Sequence, residues 1–521
     1  MRFAVAVLLI AHVTHGGIVS QKWREATLTL ELDDGSAEIE WISPVAFRVA
    51  RSWGGSVPAA PALRHEPVLA ALEDTSVGPQ MRTRYLTVSV SRPDLRIRVR
   101  NGETPVAEAV LTRTASAVEL RLSPMEKVFG LGGGETGRLN LRGERVSRSH
   151  GFFFTNDGYG VFVRNPELCL FDLNAGFIRA ADARSMDFVL YYGPTPKEIL
   201  EQHQTITGAV ELKPDVLAML SADRLPMAAT PLPAQPIQDW PGLAELVRTL
   251  NAWSLSGVRY PALDVSSAAH APDEIKQRVA DLAAILPIVY RSAGDAGLDR
   301  ATRNAFRSYL TTYLREAYDR GYPLIHPLLL QFPRDPGLDQ RSDLFMLGDE
   351  LLIAPVISPG ERRRVNLPRG SWTDVRTNTE YQGNQAIEID APSGRVPVFA
   401  RNGSLWPLAA AGRMELHYFP ALGGEFFLWE PELEDISQFH AAPAGDFLRM
   451  EIETKADRTY EWVLHHTRRP SSVFEDSTPY SAAASRDLFR AGTWWHDPIH
   501  NDLHIMLQAG AGSDRIVNVA F

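Results

Sequence analysis

The chain has 521 residues, with 53 Lys and Arg against 63 Asp and Glu and a formal net charge of −10. A hydrophobic fraction of 45% and a charged fraction of 22% exclude intrinsic disorder, collagen and a disulfide scaffold, and the length predicts about three or four domains. The acidic balance argues against nucleic acid as the main partner, because phosphate binding draws its affinity from clustered Lys and Arg.

Met1-Arg2-Phe3, an apolar run from Ala4 to Ala11 and then Thr14-His15-Gly16-Gly17 have the form of a secretory signal peptide. On that reading the protein is secreted or periplasmic; the other reading is a first β-strand. No later segment approaches the ~20 apolar residues needed to span a bilayer, so no membrane is expected as a partner. The single cysteine, Cys169, lies in the apolar run Leu168-Cys169-Leu170-Phe171. It forbids an internal disulfide and reads as a buried, inert thiol.

From Trp23 to about Leu190 the pattern has period two. Thr27–Leu32 and Ala37–Trp41 flank Asp34-Gly35 as a hairpin, and further alternating runs with turn signals between them argue for a β-sandwich. Thr195-Pro196-Lys197-Glu198 is a capping box with Pro at the first helical position, and Gly208 closes the helix. From there to about Asp343 the chain is helical with short apolar runs. Phe306, Leu310, Tyr313, Leu314 and Ala317 form one face, stopped by Gly321 and Pro323. Pro226–Pro241 holds five prolines and reads as an irregular connection. Alternating strands return from Leu351.

Segments in this order resemble glycoside hydrolase family 31, the α-glucosidase and α-xylosidase family. They include Val128-Phe129-Gly130-Leu131-Gly132, Leu139-Asn140-Leu141-Arg142-Gly143, Phe154–Val163 and Tyr192-Gly193-Pro194-Thr195-Pro196-Lys197-Glu198. Gly321-Tyr322-Pro323, Gln331-Phe332-Pro333, Phe345–Val356, Leu367–Trp372 and Val396–Ser404 follow colinearly. The resemblance implies a multidomain β plus α/β fold. After the signal peptide read from the residues over 1–17, its parts are an N-terminal β-sandwich over 18–194, an incomplete (β/α)8-type barrel over 195–345, and β-sandwich-like proximal and distal C-terminal domains over 346–411 and 412–521. It also implies retaining hydrolysis of α-glycosides without metal or cofactor. That chemistry needs two carboxylates about 5–5.5 Å apart, one as nucleophile and one as acid/base.

The barrel region departs from the family. Pro214 to Asp343 is 130 residues, whereas a (β/α)8 barrel takes about 250, and the family-like text stops near Leu220 and resumes near Trp240. The family's nucleophile motif, Trp-x-Asp-Met-Asn-Glu, has no counterpart. If Asp239-Trp240 holds the Trp of the family's Gly-Asp-Asn-x-x-[Ser/Thr]-Trp motif, the acid/base position is Gln235 and its Gly is Ala234. An amide cannot donate and recover a proton at neutral pH.

Gly257–Ala268 resembles the next family segment and keeps Asp264, with Ser266 and Ser267 in place of two glycines. Arg291-Ser292-Ala293 resembles the family's Arg-x-His pair with Ala293 at the His. Asp264 and Arg291 are therefore the candidate substrate-binding residues, their other reading being a structural ion pair. No catalytic residue is assigned.

Other motifs are weaker. Gly130–Glu135 lacks the Gly-Lys-[Ser/Thr] of a phosphate cradle. His496, His500 and His504 with Asp497 and Asp502 have metal-like spacing, but Pro498 breaks a helix and Leu503–Leu507 alternates as a strand. Trp494-Trp495 reads as strand core or interface before sugar platform.

The expectation is a family 31-like, carbohydrate-active protein with impaired catalysis that retains α-glucoside or α-xyloside binding. The alternatives are an active α-glycosidase with a site rebuilt on Asp264, Asp239 or Asp295, a structural interaction protein, and a damaged chain. A partial barrel leaves open strand edges, which a homo-oligomer would cover.

Overall fold

The structure is a computed structural model describing residues 17–54, 57, 63–92, 94–111, 118–133, 137–147, 150–164, 170–174, 177–181, 185–208, 211–217, 220–221, 225–232, 235–291 and 299–521. The readings of residues 1–16 as a leader and of Cys169 as a buried thiol lie outside the described residues, as do Ala234, Ala293 and Asp295. The chain divides into two compact units, Met1–Glu135 with Asn140–Gly208, and Thr136–Leu139 with Ala209–Phe521. Strands dominate both.

The first unit holds an eight-stranded and a nine-stranded antiparallel sheet. Period-two alternation builds them: over Thr27–Leu32, Leu28, Leu30 and Leu32 are buried while Thr29 and Glu31 are exposed. Leu28, Ile39 and Val49 from the first sheet and Val88, Ile97 and Val99 from the second enter one apolar core. Helix α1, Pro196–Thr207, begins at the expected capping box: Thr195 N–H donates to Glu198 Oε2 at 2.9 Å and Glu198 N–H to Thr195 Oγ1 at 3.3 Å. Gly160 is a steric requirement of this packing, because a Cβ there would lie 2.5 Å from Ile199 Cγ2 on α1.

In the second unit four strands form a wholly parallel sheet: β1 Leu220–Ser221, β2 Thr230–Leu232, β3 Pro261–Asp264 and β4 Ile288–Arg291. Its order is β1-β4-β3-β2, with Ser221 opposite Arg291, Asp264 opposite Tyr290, and Leu232 opposite Leu263. Helix α2, Trp240–Ser254, joins β2 to β3, and α3, Asp273–Ala283, joins β3 to β4. The consecutive strands β1 and β2 thus stand at opposite edges. Pro226–Pro241, expected to be irregular, contains β2 and the start of α2. An edge strand tolerates proline because its outward side pairs with nothing, which is why proline content misled the sequence reading here.

Helices α4, Arg300–Ala305, and α5, Arg307–Arg320, follow. Gly321 ends α5 in the left-handed region at φ 69°. Residues 325–520 carry further, mainly antiparallel sheets. One apolar core runs from Leu263 and Val289 of the parallel sheet through Tyr309 and Leu310 of α5 to Trp406, Tyr460 and Trp462. Each such fully buried large side chain contributes about 1.5–3 kcal/mol. Among the described residues, no helix is long and apolar enough to cross a membrane.

Candidate functional site

In parallel α/β sheets, ligands bind at the carboxyl ends of the strands, where loops converge and side chains are aimed by rigid backbone. Gln235 follows β2 by three residues, Asp264 ends β3 and Arg291 ends β4. These three positions, 56 residues apart in the chain at their extremes, follow three adjacent strands at one end of one sheet. The loops after β2 and β3 are tied together by Ile237 N–H donating to the Ser267 carbonyl at 2.9 Å.

Asp264 is buried at 9% exposure. Its Oδ1 accepts from the N–H of Ser266 at 3.0 Å and from the Ser266 hydroxyl at 2.5 Å, while the Ser267 hydroxyl donates to the Asp264 carbonyl at 2.6 Å. The carboxylate thereby caps the short 3-10 turn Val265–Ala268. Serines at the two family glycine positions organise the loop around Asp264. The phenol of neighbouring Tyr290 is pushed up, by burial first and by the negative charge of Asp264 second. Arg291 is half-buried.

Gln235 is exposed. Asp239, one of the carboxylates weighed for a rebuilt site, is the N-cap of α2, its Oδ1 accepting from Gly242 N–H at 2.9 Å. Its placement is accounted for by the helix it starts.

The C-terminal histidines do not converge. His496 Nε2 lies 2.9 Å from the Thr467 carbonyl, His500 pairs with Asp497 at 2.7 Å, and His504 pairs with Glu461 at 2.8 Å. Asp502 is engaged by His465 at 3.1 Å. Among the described residues, no group of three or more His, Cys, Asp or Glu is assembled to hold a metal. Trp494 is buried and donates to the Tyr480 carbonyl at 3.2 Å, while Trp495 is half-buried beside His504.

Two arrangements escaped the sequence reading. Glu350, buried within the family-like segment Phe345–Val356, accepts from Tyr309 Oη at 2.8 Å and Tyr313 Oη at 2.7 Å. Burial, then the charge of Asp349, raise its carboxyl to about 8. In the C-terminal strands, His417 and His465 stand in series at 3.0 Å, between Glu415 at 3.4 Å and Asp502 at 3.1 Å. Burial lowers His465 to about 4 against the opposing pull of Asp502. No local spacing signals either, since apart from Glu415 and His417, two residues apart, the partners lie 37 to 48 residues apart.

Residues 321–405 match the Glycosyl hydrolase family 31 C-terminal domain. The chain is 29% identical over 202 residues to alpha-glucosidase 2 of Bacillus thermoamyloliquefaciens, covering 33% of this chain and 25% of that one. It is 33% identical over 106 residues to an alpha-glucosidase of Saccharolobus solfataricus, covering 20% of this chain and 15% of that one. The matched stretches therefore span a quarter or less of these relatives. A mutant GH31 dextranase of Flavobacterium johnsoniae, solved in complex with isomaltotriose, superposes with a TM-score of 0.81 at 13% identity, covering 97% of this chain and 100% of that one. Colinear motifs, a matching C-terminal domain and a shared fold all support membership of glycoside hydrolase family 31.

Proposed function

We propose that this protein is a carbohydrate-binding member of family 31 that no longer hydrolyses glycosides, and that Asp264 and Arg291 are its contacts to an α-glucoside or α-xyloside. The observation that carries the reading is the trio at the strand ends: an amide, a carboxylate and a guanidinium. Retaining hydrolysis needs an ionised nucleophile and a protonated acid about 5–5.5 Å apart. Gln235 stands where the acid/base belongs, and its amide cannot cycle a proton. A carboxylate and a guanidinium at neighbouring strand ends remain suited to sugar hydroxyls, the first accepting and the second donating.

On this reading the four parallel strands are half of an eight-stranded barrel. The gap falls between β1 and β2, consecutive in the chain yet at opposite edges of the sheet, in the interval where the family-like text stops and resumes. The flanking modules, 18–194, 346–411 and 412–521, are those of the family, and residues 1–17 export the chain. The dextranase bound to isomaltotriose supports the choice of ligand class.

The test is a thermal shift titration with isomaltotriose, maltotriose and an α-xyloside. A saturable rise in Tm that Asp264→Asn and Arg291→Ala each reduce is expected. A saturable rise unchanged in both variants, or none with any of the sugars, would overturn the assignment.

A further inference from the structure

A cavity of about 830 Å3 opens away from the strand ends, between α3, the start of α4 and the chain segments 374–376 and 389–398. Asp264, Ser266, Ser267 and Arg291 are not among its lining residues.

One wall is built with unusual care. Arg278 and Asp281, three residues apart on α3 and both buried, reach across to the 391–394 segment. Arg278 donates to the carbonyls of Ala391 at 2.8 Å, Pro392 at 3.1 Å and Gly360 at 3.1 Å. Asp281 Oδ2 accepts from Gly394 N–H at 3.1 Å and its Oδ1 from Gln277 at 2.8 Å. Burying two ionisable side chains is costly unless their hydrogen bonds are made. Four of the five hydrogen bonds run to main chain, which fixes the wall before any ligand arrives. Burial also holds the Asp281 carboxyl above the usual carboxylate range.

The rim alternates in charge. Arg376 is exposed, with one guanidinium N–H on the Asp390 carbonyl at 3.1 Å. Exposed Arg395 faces Asp299 closely enough for its charge to help hold that carboxyl down, after the Thr302 hydrogen bonds. Asp281, Asp299, Asp374 and Asp390 line the same cavity as the two guanidiniums, which disfavours a simple anion. Between these polar groups lie Ala280, Ala284, Ile285 and Val396. Donors and acceptors set side by side around apolar patches complement vicinal hydroxyls carried on C–H faces. The volume is that of an oligosaccharide-sized guest.

We propose that this cavity is a second saccharide site, which holds a short glycan segment by Arg376 and Arg395 independently of Asp264 and Arg291.

The test is calorimetric titration of the full chain with isomaltotriose and maltotriose, using Arg376→Ala/Arg395→Ala and Asp264→Asn. Both arginines are exposed, so the double variant should keep the wild-type Tm without ligand. A titration of each sugar against its longer oligomers separates a free oligosaccharide from a polymer segment as ligand. The proposal expects binding in Asp264→Asn that is weakened about tenfold or more by adding the two arginine substitutions, equivalent to about 1.4 kcal/mol. It is overturned if Asp264→Asn alone abolishes all saccharide binding, if the arginine substitutions leave residual binding in Asp264→Asn unchanged, or if the wild-type chain binds neither sugar. The first two of these leave the strand-end site standing, so the two readings fail separately.

Discussion

The Ser266 hydroxyl donates to Asp264 at 2.5 Å, at the position where the family pattern has a glycine. The bond holds the one retained carboxylate in a capping role on the turn that follows it. Ser266→Ala removes the hydroxyl and leaves the backbone bond from the same residue. The expected loss is about 0.5–1.5 kcal/mol of unfolding free energy, read from urea midpoints at constant slope.

Arg303 on α4 is the junction of the parallel sheet's surroundings. Its guanidinium donates to the carbonyls of Leu217 at 2.8 Å, Ala283 at 3.2 Å, Leu286 at 2.5 Å and Pro287 at 2.6 Å. Burial alone lowers its pKa, to about 10. Arg303→Met orphans these carbonyls and should destabilise by about 3 kcal/mol or more. Lysine lacks the planar fork and should not rescue it. Equilibrium denaturation of the two variants measures both effects.

Glu350 and His465 give the stability curve opposite slopes. Glu350 has a folded pKa of about 8 against 4.5 for an ordinary glutamate, so the folded state holds a proton that the unfolded state releases. Its contribution falls as pH rises from about 4.5 to 8. His465, at about 4 against 6.5, stays neutral when the unfolded imidazole protonates, so its contribution falls as pH drops from 6.5 to 4. Glu350→Gln should remove the fall in Tm as pH rises from about 4.5 to 8, and His465→Gln the fall as pH drops from 6.5 to about 4. Wild-type slopes in both variants would contradict the two assignments.

Among the described residues β2 is an edge of the parallel sheet, and Pro231 blunts it. Thr230 N–H points inward to the Tyr260 carbonyl at 2.9 Å, so position 231 faces the unpaired side, where proline offers no donor. Pro231→Val restores that donor. Concentration-dependent association should rise, measured by light scattering on a sizing column, while the parent chain associates less at equal concentration.

The legible parts of this fold are those written in local chemistry. Helix α1 is marked by Thr195, Pro196, Glu198 and Gly208 within fourteen residues, and the hairpin around Asp34-Gly35 by alternating apolar residues on both sides of the turn. Strand β2 was missed because Pro231 argues against a strand until its edge position is known. Asp264 and Arg291 were found through motif resemblance, and their placement on neighbouring strands is a property of sheet order. The tyrosine pair on Glu350 and the two histidines in series depend on contacts between distant segments, which no window of sequence contains.

Loss of hydrolysis is the central claim, and release of an aryl leaving group from aryl α-glucoside and aryl α-xyloside tests it most directly. Folded wild-type protein should turn over neither above background. Turnover well above background that Asp264→Asn abolishes would contradict the account and show a rebuilt catalytic site at the end of β3.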